Sequence, residues 1–322
     1  MRKVLITGGA GFIGSNLADR LVEEGIEVVL FDNLSRGQRE FVAHACDYEG
    51  AKFVHGDVLD QALLTRSMKG CDTVFHFAAN ADVRHGLESP KRDLEQNTMA
   101  TFVVLEAMRS AGVSRIVFAS TGSIYGEPQI FPTPETCPFP VQTSLYGASK
   151  LAGEGLIQAY CHGFGFVGMI FRFVSVLGER YTHGHVFDFY RSLRQDPSYL
   201  RVLGNGRQEK SYLYVGDCVS AVHTIAALHH DPGAVLTYNL GTDETIVVDD
   251  SVAEITGYLD VNPRLEYTGG LRGWPGDSPL IFLDCARIRS TGWEPKVSIR
   301  DALRRTLHWL DENPFILERV AA

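Results

Sequence analysis

Two side chains that could perform acid–base chemistry, Tyr146 and Lys150, lie four residues apart in the segment SLYGASK. The segment has a helical pattern, which would bring both side chains onto one face a single turn apart. A lysine ammonium beside a phenol favours the phenolate, so the tyrosine could act as a general base near neutral pH. The alternative is that the pair is ordinary solvated helix surface, and the surrounding elements must decide.

Hydroxyl groups follow the apolar run RIVFAS, at Ser120, Thr121 and Ser123. The run has the composition of a buried strand, and ligands of open parallel sheets bind at the carboxyl ends of the strands. A hydroxyl at this edge can share a proton with a substrate oxygen that is being oxidised. The pattern predicts hydroxyl groups at the mouth of a ligand crevice.

Three glycines, Gly8, Gly11 and Gly14, have the spacing G-x-x-G-x-x-G between the first predicted strand and the first predicted helix. Such glycines permit a tight turn and let backbone amides approach a pyrophosphate, although a lone motif also occurs in simple turns. The second predicted strand ends in Asp32, about twenty residues further on, where a carboxylate binds both ribose hydroxyls of an adenosine and repels a 2′-phosphate. The pattern therefore predicts a dinucleotide and favours NAD over NADP. Asp57, after the third predicted strand, either faces the adenine or caps the strand end.

Short apolar runs alternate with amphipathic helical stretches through the first half of the chain. Runs that are apolar on both faces are typical of strands buried in a parallel sheet between helices. The sequence therefore predicts an α/β fold with a doubly wound parallel sheet. The predicted strands are residues 3–7, 27–32, 52–57, 73–79, 115–120 and 167–173, and the predicted helices are 15–24, 63–68, 97–110 and the one containing 146–150.

The alternation becomes irregular after about Phe173, in a region rich in glycine and charge. We predict that residues 1–173 form a dinucleotide-binding domain, to which residues 213–242 return. Residues 174–212 and 243–322 are predicted to form a smaller α/β lobe that binds substrate and ends in a helix over 299–312. The two domains would then be interleaved along the chain.

The composition is that of an ordinary globular protein of 322 residues, with 45% hydrophobic and 21% charged residues. A formal net charge of −9 argues against a nucleic-acid or acidic-membrane surface. The six cysteines are scattered without a C-x-x-C pair, which indicates neither a disulfide framework nor a zinc site and fits a reducing cytoplasm. No apolar run has the length of a membrane span, and we read no signal peptide.

These motifs together resemble the extended short-chain dehydrogenases/reductases, and within them the UDP-glucose 4-epimerase branch of the nucleotide-sugar epimerase/dehydratase family. The resemblance covers nearly the whole chain, through TGGAGFIGSNL, FDNLSRG, VFHFAAN, YGASK, GNGRQEKSYLYVGD, RGWPGD and TGWEP. It implies a Rossmann-type fold, resident NAD, and the catalytic residues Thr121, Tyr146 and Lys150. It also implies cofactor contacts beyond the glycine loop, at Phe12, Ile13, Asp32, Asn33, Asp57, Val58, Phe77, Ala78, Ala79, Asn97 and Phe173.

The resemblance implies reversible oxidation at C4 of a nucleotide-diphosphate sugar through a transient 4-keto sugar. In the 4,6-dehydratases of the family, the positions of Gly122 and Ser123 carry Asp and Glu, which protonate the leaving 6-hydroxyl. Glycine has no proton to give, so epimerisation is favoured over elimination, with UDP-glucose and UDP-galactose as the default pair. Alternatives are another sugar nucleotide (UDP-uronic acid, UDP-N-acetylhexosamine or CDP-hexose), a net 4-dehydrogenase, or a non-catalytic NAD-binding protein.

The substrate side is predicted from positive and polar groups of the smaller lobe. Arg207, Lys210 and Arg272 are candidates for the diphosphate. Ser175 stands where the family generally carries Asn near the sugar. His85 and His185 are candidates for the sugar pocket, and His183 with His185 lacks a third ligand for a metal, so none is predicted. A homodimer paired through two helices, one of them carrying Tyr146, is expected by resemblance.

Overall fold

The computed structural model describes residues 1–81, 86, 88–139, 141–273, 277–278 and 280–319. Seven parallel strands form its main sheet, in the order β11-β6-β5-β4-β1-β2-β3. The strands, as the structure has them, are β1 Lys3–Thr7, β2 Glu27–Asp32, β3 Ala51–His55, β4 Thr73–His76, β5 Arg115–Thr121, β6 Val167–Phe173, β7 Ser175–Leu177, β8 Tyr199–Val202, β9 Glu209–Lys210, β10 Tyr212–Tyr214, β11 Val235–Leu240, β12 Ile246–Val247 and β13 Arg264–Tyr267.

Helices cover both faces of this sheet, as predicted for a doubly wound fold. Strand order reverses between β1 and β4, which creates the crevice where such sheets bind ligands. The helices are α1 Phe12–Glu23, α2 Ala43–Cys46, α3 Gln61–Ser67, α4 Pro90–Asp93, α5 Ala100–Ala111, α6 Leu145–Phe164, α7 His185–Gln195, α8 Val215–Ala227, α9 Val248–Leu259, α10 Ala286–Arg289, α11 Ile299–Glu312 and α12 Phe315–Arg319, with a π-helical segment at Leu94–Met99 and 3₁₀ turns at Arg39–Val42 and Gly122–Tyr125.

The central strand β1 shows why its three inner residues are all apolar. Val4 and Ile6 pack into the core on one side of the sheet, and Leu5 packs into the core on the other side. Successive side chains of a strand point to opposite faces, so a strand covered on both faces is apolar at consecutive positions. The run KVLIT therefore predicts a buried parallel strand, and the structure confirms it.

Two predicted helix boundaries were wrong. The first helix begins at Phe12 rather than Ser15, because Gly11 has extended backbone and serves as its N-cap. The helix predicted from Asn97 begins at Pro90 and passes through the π-helical segment before α5. There the Asn97 side chain accepts from the backbone of Asn80 at 2.8 Å and donates to Ser149 Oγ at 2.9 Å, contacts that sequence periodicity does not reveal.

A third hydrophobic cluster lies among α7, α9 and α11, in the region predicted to be the smaller lobe. Short strand pairs accompany these helices: β7 with β10, β9 with β12, and β8 with β13. β11 returns to the edge of the main sheet and pairs with β6, as the sequence predicted for this segment. The exact division into two domains stays a prediction. No helix in the described part of the chain has the length and apolarity of a membrane span.

Candidate active site

One cavity of about 840 Å³ extends from the glycine loop, past the ends of β2, β5 and β6, to the smaller lobe. Its volume suits a ligand of nucleotide size or larger. The cavity wall brings together most of the predicted site residues, although they are far apart in sequence. These are Gly8, Gly11, Phe12, Ile13, Gly14, Asp32, Asn33, Val58, Phe77, Ala78, Ala79, Thr121, Tyr146, Lys150, Phe173, Ser175, His185 and Lys210.

The glycine loop is packed so closely that side chains are excluded. An ideal Cβ at Gly14 would lie 2.2 Å from the backbone oxygen of Gly8. Gly8 itself has φ of +69°, a left-handed conformation that favours glycine, and its N–H donates to the Phe31 oxygen at 2.9 Å. The N-terminus of α1 follows directly at the cavity wall, so backbone N–H groups and the positive end of the helix dipole are available to a pyrophosphate.

Asp32 lies at the cavity wall beside this loop, where an adenosine ribose would bind. One carboxylate oxygen accepts from the backbone N–H of Ala10 at 3.0 Å and the other accepts from that of Leu34 at 2.7 Å. A carboxylate has further lone pairs, so these bonds orient the group and still leave acceptors for ribose hydroxyls. Burial raises the pKa of Asp32, although both backbone bonds oppose this rise. The loop, helix end and carboxylate therefore fit a dinucleotide.

The helix carrying Tyr146 and Lys150 begins at Leu145 because Ser144 caps it. The Ser144 hydroxyl accepts from the backbone N–H of Gly147 at 3.0 Å, which satisfies one free donor of the first turn. Lys150 Nζ donates to the backbone oxygen of Ala119 at 2.9 Å. Burial lowers the pKa of Lys150 to about 8, while neighbouring carboxylates oppose this effect.

The surroundings of Tyr146 disfavour its charged form. Burial raises the pKa of Tyr146 to about 12, the Thr121 hydroxyl acts in the opposite direction but more weakly, and the charge of Asp93 adds to the rise. The resemblance implies that the Lys150 ammonium and the positive nicotinamide ring of NAD together favour the phenolate, and that Tyr146 acts as a base near neutral pH stays a prediction. Burial works against it, because solvent exclusion disfavours a charged group.

Thr121 occupies the end of β5, as the strand pattern predicted. Its hydroxyl accepts from the backbone N–H of Ser123 at 3.1 Å and donates to the Ser123 hydroxyl at 3.2 Å, and it lies near enough to Tyr146 to lower the pKa of the phenol. These contacts hold the hydroxyl beside the phenol at the cavity wall. Thr121, Tyr146 and Lys150 thus form one cluster contributed by a strand end and one helix face.

Several predicted contacts lie off the cavity wall and remain predictions. Asp57 accepts from Asn33 Nδ2 at 3.0 Å and from the Leu59 backbone at 2.9 Å, which is the strand-end cap considered as its alternative role. Asn97 is buried in the contacts with Asn80 and Ser149 described above.

Two arginines of the substrate prediction also lie off the wall. Arg207 is exposed, and Arg272 pairs with Glu127 across the surface. The Arg272 guanidinium is therefore paired with an exposed carboxylate outside the cavity. The candidate His85 falls outside the described residues.

On the substrate side, the cavity has partners that sequence inspection missed. Lys210 Nζ donates to Asp277 at 2.9 Å, and the Tyr212 hydroxyl lies 2.7 Å from Nδ1 of His185. Burial and the charge of Lys210 lower the pKa of His185 to about 3, so its ring is neutral. The sequence could have pointed to Asp277, because it lies in the segment RGWPGD, whose arginine was already a candidate for the substrate site.

A parallel sheet whose switch point opens on a glycine loop, with a hydroxyl, a phenol and an ammonium across the same cavity, defines a dinucleotide-dependent enzyme. The model of the NAD dependent epimerase/dehydratase family matches residues 4–241. A putative UDP-glucose 4-epimerase of Methanocaldococcus jannaschii is 32% identical over 316 residues, covering 96% of this chain and 99% of the relative. The chain belongs to the NAD-dependent epimerase/dehydratase family, and its cofactor is NAD.

Solved structures agree with this assignment. A UDP-galactose 4-epimerase superposes with a TM-score of 0.85 at 36% identity, covering 96% of this chain and 99% of the other. The UDP-glucose 4-epimerase of Thermus thermophilus in complex with NAD gives a TM-score of 0.85 at 33% identity, covering 97% of this chain and 99% of the other. The Rossmann-type fold predicted from the sequence is therefore confirmed.

Proposed function

We propose that the protein catalyses NAD-dependent epimerisation at C4 of a nucleotide-diphosphate sugar, with UDP-glucose and UDP-galactose as the principal pair. The observation that carries this proposal is the convergence of Thr121, Tyr146 and Lys150 on one cavity that begins at the glycine loop. A ligand spanning this cavity would present a sugar hydroxyl to the phenol. The similar proteins described above are named as epimerases, and each matches this chain over nearly its full length, which supports the same reaction.

In this proposal Tyr146 accepts the proton of the sugar C4 hydroxyl, and Thr121 shares a hydrogen bond with the same oxygen. NAD, when bound, would supply the acceptor and donor of hydride for C4 of the sugar, and its nicotinamide ring would add a positive charge to the site. Lys150 adds a second positive charge on the helix face of the phenol. Because burial raises the pKa of Tyr146, the two cations together must offset the cost of forming the phenolate.

The surroundings of Gly122 support epimerisation without elimination. An ideal Cβ at this position would lie 2.6 Å from Cγ2 of Ile281 and 3.5 Å from Cδ1 of Leu283. An acidic side chain, as the dehydratases carry here, would have to displace Ile281. Position 122 thus has no acidic side chain that could protonate a 6-hydroxyl. The space that such a side chain would need is filled by the apolar side chain of Ile281.

The diphosphate and sugar are assigned to the opposite end of the cavity. Lys210 lines the wall together with Ser175 and His185, and its bond to Asp277 orients the ammonium. A neutral His185 held by Tyr212 can exchange hydrogen bonds with sugar hydroxyls without introducing charge. Ser175, which is shorter than the asparagine usual in the family, leaves room that bears on which sugar is accepted.

Incubation with sugar nucleotides tests this proposal directly. The purified protein, with no added NAD, is expected to interconvert UDP-glucose and UDP-galactose faster than UDP-uronic acid, UDP-N-acetylhexosamine or CDP-hexose pairs, as followed by chromatography and NMR. Faster conversion of another pair would support the proposed reaction and change the proposed substrate. Accumulation of NADH with a keto sugar would instead identify a net 4-dehydrogenase, and no turnover of any pair would leave only NAD binding.

We further propose that the enzyme is a homodimer, paired through the face formed by the 94–102 region and α6. Large apolar side chains are exposed on both elements: Leu94 by 54%, Phe102 by 40% and Phe164 by 58%. Such a face, on two neighbouring helices, suits association with a second copy.

A cytoplasmic enzyme is consistent with the six cysteines, all of which are unpaired.

Light scattering coupled to gel filtration is expected to give twice the chain mass. Phe102→Glu places a charge in the proposed interface and is expected to yield monomers, whereas Leu265→Glu, a matched exposed position on β13, should leave the dimer intact. A wild-type monomer at assay concentration, or equal behaviour of both variants, would argue against this interface.

A further inference from the structure

A buried carboxylate lies one helical turn beyond Lys150. Glu154 follows Tyr146 and Lys150 on the same face of α6, at the spacing i, i+4, i+8, and its side chain has no exposed surface. A carboxylate without access to water is costly unless its oxygens are paired and hydrogen-bonded. Glu154, behind the proposed catalytic cluster, therefore needs partners inside the protein.

Both carboxylate oxygens of Glu154 are bonded within the protein. Arg172 on β6 binds them with two parallel bonds, from Nε at 3.1 Å and from Nη2 at 2.8 Å. The hydroxyl of Ser120 donates to the carboxylate at 2.5 Å. Arg172 is in turn held by the Tyr125 hydroxyl at 2.7 Å and the Glu135 backbone oxygen at 3.1 Å. The carboxylate is thus fixed in place, with both oxygens hydrogen-bonded.

These bonds attach the catalytic face of α6 to the end of β5. Lys150 Nζ binds the backbone oxygen of Ala119, and Glu154 binds the hydroxyl of Ser120, the next residue along the strand. Thr121, the following residue, lies beside Tyr146 at the cavity wall. Two consecutive strand residues thus bond to two residues of one helix face, and the next strand residue lies beside a third. A change in these contacts would move the Tyr146 phenol relative to the Thr121 hydroxyl.

The charge of Glu154 also acts on the ammonium. Burial favours neutral Lys150, and Glu154 is the strongest group that opposes it, followed by Asp93 on α4. His76 on β4 also faces Lys150, and it is neutral because burial and Lys150 lower its pKa to about 3. Tyr146 lies one turn before Lys150 on the same helix and lines the same cavity.

Arg172 on β6 lies beyond Glu154, whose carboxylate it pairs with. The local charge balance therefore has two carboxylates, Glu154 and Asp93, against two cations, the Lys150 ammonium and the Arg172 guanidinium, and Glu154 acts on both cations. Removing the carboxylate of Glu154 would also leave the Arg172 charge unpaired near the ammonium.

We propose that Glu154, held by Arg172 and Ser120, is a positioning residue that keeps Lys150 charged and correctly placed beside Tyr146. The inference rests on the catalytic role of Lys150 in the proposed function. Glu154 does not line the cavity that substrate and cofactor are proposed to occupy. It acts through the ammonium, and loss of its charge should release the Lys150 proton at a lower pH.

The test measures the protonation of Lys150 without reference to turnover. NMR of the holoenzyme with ¹³Cε-labelled lysine, assigned by comparison with Lys150→Met, gives the titration midpoint of Lys150. Glu154→Gln is expected to lower this midpoint by about one pH unit, whereas Glu154→Asp, which keeps the charge, should stay within about 0.3 unit of wild type. The double variant Glu154→Gln/Arg172→Gln leaves no unpaired guanidinium and provides a folded protein if the single variant fails to fold.

Kinetics supply a second readout. The alkaline limb of the kcat profile is expected to move to lower pH with the NMR midpoint, and KM for the sugar nucleotide should change little. A wild-type enzyme that turns over no sugar nucleotide would reject the proposed function, while the NMR midpoints would still decide the role of Glu154. An unchanged Lys150 midpoint in both Gln-containing variants, with kcat reduced or not, would overturn the positioning role and leave only a structural ion pair.

Discussion

Tyr146→Phe lowers kcat for epimerisation by about a thousandfold as its expected result, because the phenol oxygen is the only proposed acceptor of the sugar proton. The ring remains, so packing at the cavity wall and NAD binding should be retained. The Thr121 hydroxyl keeps its bonds to Ser123, so the end of β5 should stay in place. Turnover is measured with the preferred sugar pair, and NAD content is measured by absorbance after denaturation.

Tyr160→Phe is the matched control, because Tyr160 lies on the same helix and its hydroxyl bonds to Glu106 at 2.7 Å, away from the cavity. This variant should keep kcat within about twofold of wild type and lose about 1 kcal/mol of unfolding free energy. If Tyr146→Phe retained near wild-type turnover with bound NAD, the proposed proton transfer through this residue would be wrong.

Gly14→Ala is expected to abolish stable NAD binding, and with it activity. The added Cβ would meet the backbone oxygen of Gly8 at 2.2 Å, and a backbone atom cannot rotate away as a side chain can. Either the loop or the start of α1 must move, and the first turn of α1 carries the backbone amides available to the pyrophosphate. We expect NAD affinity to fall by at least about a hundredfold and the free energy of unfolding to fall by about 2 kcal/mol.

Gly257→Ala serves as the control for this change. Gly257 lies on the exposed side of α9, and nothing approaches within 4 Å of the position that its Cβ would occupy. Alanine there should stabilise the protein by about 0.5–1 kcal/mol through helix propensity and leave NAD binding unchanged. Calorimetric NAD titration and urea unfolding check both variants. Wild-type NAD affinity in Gly14→Ala would show that the loop can relax around a side chain.

The elements that depend on local pattern could be predicted from sequence. The strand KVLIT, the glycine loop and the helix over 299–312 each follow from neighbours along the chain, and the structure has them at or close to the expected residues. The segment around Asn97 could not be predicted, because its π-helical turn depends on contacts with Asn80 and Ser149. Residue periodicity contains no record of such contacts.

The candidate site divides in the same way. By itself the sequence determined the presence of a dinucleotide loop, an acidic strand end, and the Tyr146–Lys150 spacing, because each is a short-range pattern on one element. Only the tertiary structure decided which charges meet: Lys210 pairs with Asp277, and Glu154 pairs with Arg172.

The tertiary structure also decided the protonation states of the site. The pKa of Tyr146 rises and that of Lys150 falls because both side chains are buried, which depends on everything packed around them. Spacing along a helix places two groups on one face, but the free energy of charging them is set by solvent exclusion and by carboxylates from other elements.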